Sequence, residues 1–234
     1  MTSVLVGVDP AAPAHEAIAF ARVLAEAEGA DLQHVSARRG ESAAQLLHQR
    51  ADESDAQLVV LGSSHTGRFG RVVPGGTGER LLHGSPCAVA VVPRGHPGGA
   101  IARIGVAYDA SPEADAALQH AIDLARHLGA ALELIGVVMP DPFDEHEGAH
   151  SIQLRLERAL RELPFAVDGT IVRLHGDPAE ALARHSARLD LLVTGSRGYG
   201  PLRSVIVGGV SGRLIRTAGC PVIVVPRTVG APTP

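Results

Sequence analysis

The chain repeats itself, and the repeat constrains the fold more than any single motif does. SVLVGVDPAAPAHEAIAFARVLAEAEGADL (3–32) aligns with RIGVAYDASPEADAALQHAIDLARHLGAAL (103–132), so that Asp9 falls on Asp109, 100 positions on, and Gly29-Ala30 on Gly129-Ala130. Further along, GSSHTGRFGRVVPGGTGERLLHGSPCAVAVVPR (62–94) aligns without a gap with GSRGYGPLRSVIVGGVSGRLIRTAGCPVIVVPR (195–227), 133 positions on. Self-similarity at this length means two copies of one unit. The Pro/Gly-rich stretch RGHPGGA (94–100) marks the boundary. We therefore expect one domain over 1–95, a second over 101–227 and a tail at 228–234.

Each copy reads as short apolar strands alternating with helices, the pattern of a parallel sheet covered on both faces. In the second copy strands are expected at 102–109, 132–138, 169–175, 189–195 and 221–225, with helices following Ser111-Pro112 and Asp177-Pro178 and at 151–163 and 209–217. Ser or Asp before Pro is a helix start, because the side chain caps and proline suits the first turn. Ala117, Ile122, Ala125 and Leu128 share the inner side of the first of these helices. The two offsets differ by 133 − 100 = 33 positions, which lie between residues 32 and 62 of the first copy and their counterparts. The first copy is thus truncated: four strands, lacking one edge strand and one helix. The fold class is α/β, two doubly wound parallel-sheet domains in tandem.

Composition narrows the function. Of 234 residues 45% are hydrophobic and 20% charged, and no apolar run is long enough for a membrane helix. The start, MTSVLVGVDP, lacks the pattern of a signal peptide, so a cytoplasmic location without membrane partners is expected. A net charge of −4 and only 3% aromatic residues argue against a nucleic-acid surface. Cys87 and Cys220 fall before the last strand of each copy and read as small apolar packing groups. Asp141, Asp144, Glu145, His146 and Glu147 form an acidic loop, read as solvated rather than metal-binding.

The glycines of TGSRGYGPLRSVIVGGVSGRLI (194–215) need a reason. In an open parallel sheet ligands bind beyond the C-terminal strand ends, at the switch in strand order. That crevice would be lined by Ala107, Tyr108 and Asp109, by Gly136, Val137 and Val138, and by Thr194 and Gly195. Gly195 and Gly198 let the loop curl with N–H groups inward. Gly208 and Gly209 open the last helix, where with Val210 and Ser211 free N–H groups favour an anion. A triphosphate spanning the two groups suits this geometry, with Arg197 or Arg203 within reach and Asp109 on a ribose hydroxyl or the adenine amino group. Each residue also has a plainer reading: the glycines as an inherited loop shape, Asp109 as a turn residue, the arginines and His65 as ordinary loop residues.

These residues resemble the universal stress proteins, whose ATP-binding members carry G-x2-G-x9-G-[S/T] between the fourth strand and the last helix. Gly195, Gly198 and Gly208 reproduce the spacing, and the likeness covers essentially the whole chain. It implies an adenine-nucleotide α-hydrolase-like fold, ATP with Mg2+ in the second copy, and a stress-response regulator. It also implies antiparallel pairing of the apolar last strands of the two copies within one chain, with a homodimer of whole chains open. The final Ser/Thr is Gly209 here, which removes a hydroxyl. The first copy has His65 for its second glycine and Gly76 for the hydroxyl residue, so it is not expected to bind nucleotide. An enzyme of the wider group needs Ser-Gly-Gly-x-Asp-Ser or His-x-Gly-His, which neither GVDPAAPA nor VAYDASPEA supplies. At most slow ATP hydrolysis is expected. The competing reading is a nucleotide-independent scaffold for protein contacts.

Overall fold

A computed structural model describes residues 2–9, 15–38, 40–63, 76–82, 84–139, 145–196 and 209–226, and for 145–149 the backbone alone. The first half runs β1 (Ser3–Gly7), α1 (His15–Glu28), β2 (Asp31–Val35), α2 (Ala43–Glu53), β3 (Ala56–Gly62), α3 (Thr77–Leu82) and β4 (Ala88–Val92). The second runs β5 (Arg103–Ala107), α4 (Pro112–Leu128), β6 (Ala131–Val138), α5 (Glu145–Arg161), β7 (Gly169–His175), α6 (Pro178–His185), β8 (Leu191–Gly195), α7 (Val210–Thr217) and β9 (Val222–Val225). A short 3-10 turn, Ser186–Arg188, follows α6.

The strands form one sheet in the order β2-β1-β3-β4-β9-β8-β5-β6-β7. All neighbours are parallel except β4 and β9, which pair antiparallel, with Ala90 opposite Ile223. Within each half the order repeats, β2-β1-β3-β4 against β6-β5-β8-β9. Among the described residues β7 and α5 have no counterpart in the first half. The truncation expected from the sequence is therefore one edge strand and one helix.

Local chemistry explains these elements. β4 and β9 are wholly buried runs of Val, Ala and Ile, as central parallel-type strands require. The edge strands β2 (DLQHV) and β7 (GTIVRLH) are partly exposed and carry polar residues that suit a solvated edge. Ser111 caps α4 by accepting from the Ala114 N–H, and Asp177 caps α6 by accepting from the Glu180 N–H, each with proline next. Gly129 closes α4 in the left-handed conformation at φ +66° and the aligned Gly29 follows α1 at φ +62°, where a side chain would be strained. That is why Gly-Ala recurs in both copies.

Helices cover both faces. On the side of α1, α4 and α5 one core runs through both halves, from Val4 and Phe20 to Leu124, Leu134 and Leu156. On the other side the first half packs Leu5, Leu47 and Val59 under α2 and α3. The second half packs Leu182, Leu192 and Leu214 under α6 and α7, and Val91 reaches in from β4. Cys87 and Cys220 are free and buried, and burial raises both thiols, Cys220 to about 12. They are packing groups, as their position suggests.

Candidate nucleotide cleft

In the second half, β5, β6 and β8 end side by side, and the first turns of α4, α6 and α7 stand over their ends. Together they enclose a cleft of about 770 Å³, its open mouth included. Ala107, Tyr108 and Asp109 reach it from β5, Val137 from β6, Thr194 and Gly195 from β8, and Val210 and Ser211 from α7. Gly209, at φ −63° and ψ 159°, is the N-cap of α7 and supplies no side-chain hydrogen bond. Gly209 thus offers the first N–H groups of α7 no capping side chain of its own, and they carry the positive end of its dipole.

Alternation along the strands sorts the side chains. Ala107 packs with the core under α6 and α7, as do Ile135 and Val137, and these make an apolar wall with Leu182 of α6. Tyr108 points the other way. Its ring packs against the core under α4 and its hydroxyl donates to Asp115 Oδ1 at 2.8 Å. Burial, then that hydrogen bond, pushes its phenol up, so it stays protonated. Tyr108 therefore meets the cleft mainly through its backbone.

Asp109 holds the rim turn. Its Oδ1 accepts from the Ser111 N–H at 3.0 Å and from the Ser111 hydroxyl at 2.6 Å. Between them Ala110 sits at φ +60°, a left-handed backbone that a non-glycine residue adopts only where neighbours enforce it. The Arg155 guanidinium of α5 donates to the Asp109 carbonyl at 3.2 Å and ties the wall absent from the first half to this turn. On the far side Arg213 of α7 binds Asp177 at 2.9 Å and Glu180 of α6 at 3.6 Å. The Arg213 hydrogen bond holds the Asp177 carboxyl below its ordinary range.

Gly195 has a packing role as well. A Cβ there would run into the carbonyl of Glu113, because the end of β8 lies directly against the first turn of α4. Gly136 does not face the cleft: a Cβ there would meet Ile152 and Leu156 of α5 at 2.7 and 2.8 Å. It is small so that α5 can approach the sheet. Sequence reasoning missed Ser111, Glu113, Ile135, Met139, Pro178 and Leu182 as lining residues. Ile135 was recoverable, since it lies two positions before Val137 on the same strand face. Arg197, Gly198, Arg203, Gly208, His65, Asp141 and Asp144, and the side chains of Glu145, His146 and Glu147, lie outside the described residues. Among the described residues no group of three or more His, Cys, Asp and Glu is placed to hold a metal, and no helix is long and apolar enough to cross a membrane.

Comparison with known proteins agrees with this architecture. The profile of the universal stress protein family matches residues 33–93 and 100–226. A universal stress protein of Mycobacterium tuberculosis is 30% identical over 234 residues, covering 92% of this chain and 79% of that protein. The stress response protein NhaX of Bacillus subtilis is 28% identical over 162 residues, 53% of this chain and 96% of its own. Among solved structures, a universal stress protein from Archaeoglobus fulgidus superposes with a TM-score of 0.63 at 20% identity, covering 95% of this chain and 88% of that one. A putative universal stress protein from Pseudomonas aeruginosa gives 0.65 at 17%, covering 96% and 92%. At these identities the structural likeness is one of fold. The two-segment profile match carries the assignment: the chain belongs to the universal stress protein family.

Proposed function

We propose that the second half binds an adenine nucleotide, ATP with its Mg2+, and that the chain acts as a cytoplasmic stress-response regulator rather than as a catalyst. The observation that carries this reading is the meeting, in one cleft, of an apolar slot and a helix start whose N-cap, Gly209, has no side chain. Ala107, Ile135, Val137 and Leu182 suit a flat base, and the N-terminus of α7 suits phosphate oxygens. Thr194 and Ser211 add hydroxyls at the same end. Magnesium would arrive with the phosphates, as it does where a protein offers it no cage of its own. Gly209 weakens the site: one lost hydrogen bond to a charged group is worth about 1.5–3 kcal/mol.

The packing role of Gly195 supports a second reading, in which the loop is an inherited shape and the chain works through protein contacts. Binding of a fluorescent ATP analogue, followed by anisotropy with Mg2+ present, separates the two. Saturable binding that unlabelled ATP competes away, and that Val137→Phe abolishes by filling the apolar slot, is the expected result. No binding at millimolar nucleotide would leave the scaffold reading standing.

A further inference from the structure

We propose that Arg155 of α5 is a positioning residue of the cleft: by holding the Asp109 carbonyl it fixes the rim turn that carries Asp109 and Ser111 to the ligand. This inference deepens the nucleotide reading above and rests on it.

The rim turn is strained. Asp109 and Ser111 both line the cleft, and between them Ala110 has φ +60°, a conformation that an alanine keeps only with support. Part of that support comes from α4 and from the turn itself. The Tyr108 hydroxyl donates to Asp115 just before the turn, and Ser111 caps α4 just after it by accepting from the Ala114 N–H. Within the turn the Ser111 N–H and hydroxyl donate to Asp109 Oδ1. None of these four bonds fixes the peptide that joins Asp109 to Ala110. Rotation of that central peptide is what exchanges a positive for a negative φ at the residue after it. The rotation would relieve Ala110, and it would swing the Asp109 carbonyl away. Arg155 Nη1 donates to that carbonyl at 3.2 Å and so opposes it.

Arg155 acts from a firm base. Leu156 beside it is completely buried and Ala159, one turn on, is buried too. Gly136 lets α5 lie close against β6. The helix is thereby fixed to the sheet, and Arg155 carries its position to the rim. A guanidinium suits the task, because its donors are held in one plane and a charged donor binds a carbonyl more strongly than a neutral one. Among the described residues the first half has no counterpart of α5, and so no position from which an arginine could do the same. The extra strand and helix serve the cleft twice, as a wall and as a brace.

Arg155→Met keeps the side-chain stem and removes the donors. Competition binding of ATP and of AMP to the full chain with Mg2+ present, and amide hydrogen exchange of the same samples without nucleotide, test the proposal. We expect the Kd for both nucleotides to rise by one common factor, about three- to tenfold for the loss of a single hydrogen bond, with the melting temperature little changed. Exchange of the Ser111 amide, which Asp109 holds, should quicken. Ala110→Gly, which removes the strain, should recover part of the affinity in the Arg155→Met background. The proposal is overturned if Arg155→Met leaves the Kd unchanged or leaves exchange at Ser111 unchanged. It is also overturned if ATP is weakened and AMP is not, since Arg155 would then be a phosphate ligand. A parent chain that binds neither nucleotide overturns the nucleotide reading as well, whereas a binding parent with an unaffected variant overturns this proposal alone.

Discussion

The two halves share a strand order but not a cleft wall. In the second half, β6 continues beyond the level of the cleft to Val138, and β7 and α5 buttress it, with Gly136 letting α5 settle against the strand. In the first half, β2 ends at Val35 as an exposed edge, and where β1 ends Leu47 and Leu61 close on Gly7, at 3.1 and 2.7 Å from where its Cβ would lie. The scaffold needs only four strands and a helix layer on each face. A ligand cleft needs more: a supported wall, an apolar slot and a helix start with free donors. One unit can lose the second set and keep the first.

The largest effect should come from the contact where the halves differ most. Arg216→Ala removes the cation that meets the buried Glu79 carboxylate across the halves at 2.8 Å and should lower stability by about 3 kcal/mol, the lower end for breaking a buried pair, read as a fall in denaturation midpoint. Next is Gly195→Ala. Its methyl group collides with the Glu113 backbone, which has no flexible end to give way, so a loss of about 1–3 kcal/mol is expected, together with weaker nucleotide binding. Ser111→Ala removes the α4 cap and one partner of Asp109. It should cost about 1 kcal/mol, measurable by chemical denaturation.

The smallest effect is one of pH. His120 aligns with Phe20 of the first half; its Nε2 is buried without a hydrogen-bond partner among the described residues. Burial lowers its pKa, partly offset by Asp123. A lowered histidine favours the neutral folded form, so its contribution is complete above the ordinary value of 6.5 and is lost as pH falls below it. Glu28 works the other way. Burial raises its pKa, opposed by His127 and reinforced by Asp123, so its contribution is present below 4.5 and lost as pH rises through the raised value. His120→Phe, which makes the second half resemble the first, should flatten the loss of melting temperature between pH 7 and 5. An unchanged slope would assign the acid sensitivity to other groups, His96 among them.

Much of this fold was legible before any coordinates, because its signals are local. Apolar runs bounded by Gly and Pro placed β7 at 169–175 without error, and Ser111-Pro112 and Asp177-Pro178 marked two helix starts to the residue. The apolar character of both last strands invited edge pairing, and the family resemblance implied that they pair with each other. The site was half legible. Ala107, Asp109 and Val137 follow from knowing where parallel strands end and Ser211 from where the last helix starts, but Pro178 and Leu182 come from a helix whose seat over the cleft is set by packing with α7. Tyr108 lines the cleft, yet strand alternation turns its side chain, and the face of Gly136, towards the other layer. The Glu79–Arg216 pair was illegible, since no local pattern reports a contact between residues so far apart in sequence.

Calorimetric titration of the full chain with ATP and Mg2+, after confirming that no nucleotide is carried through purification, tests the central claim by counting sites. We expect one site per chain, unchanged by Asp9→Ala in the first half and lost on Val137→Phe in the second. Two sites per chain, or a single site that survives Val137→Phe and is lost on Asp9→Ala, would contradict it.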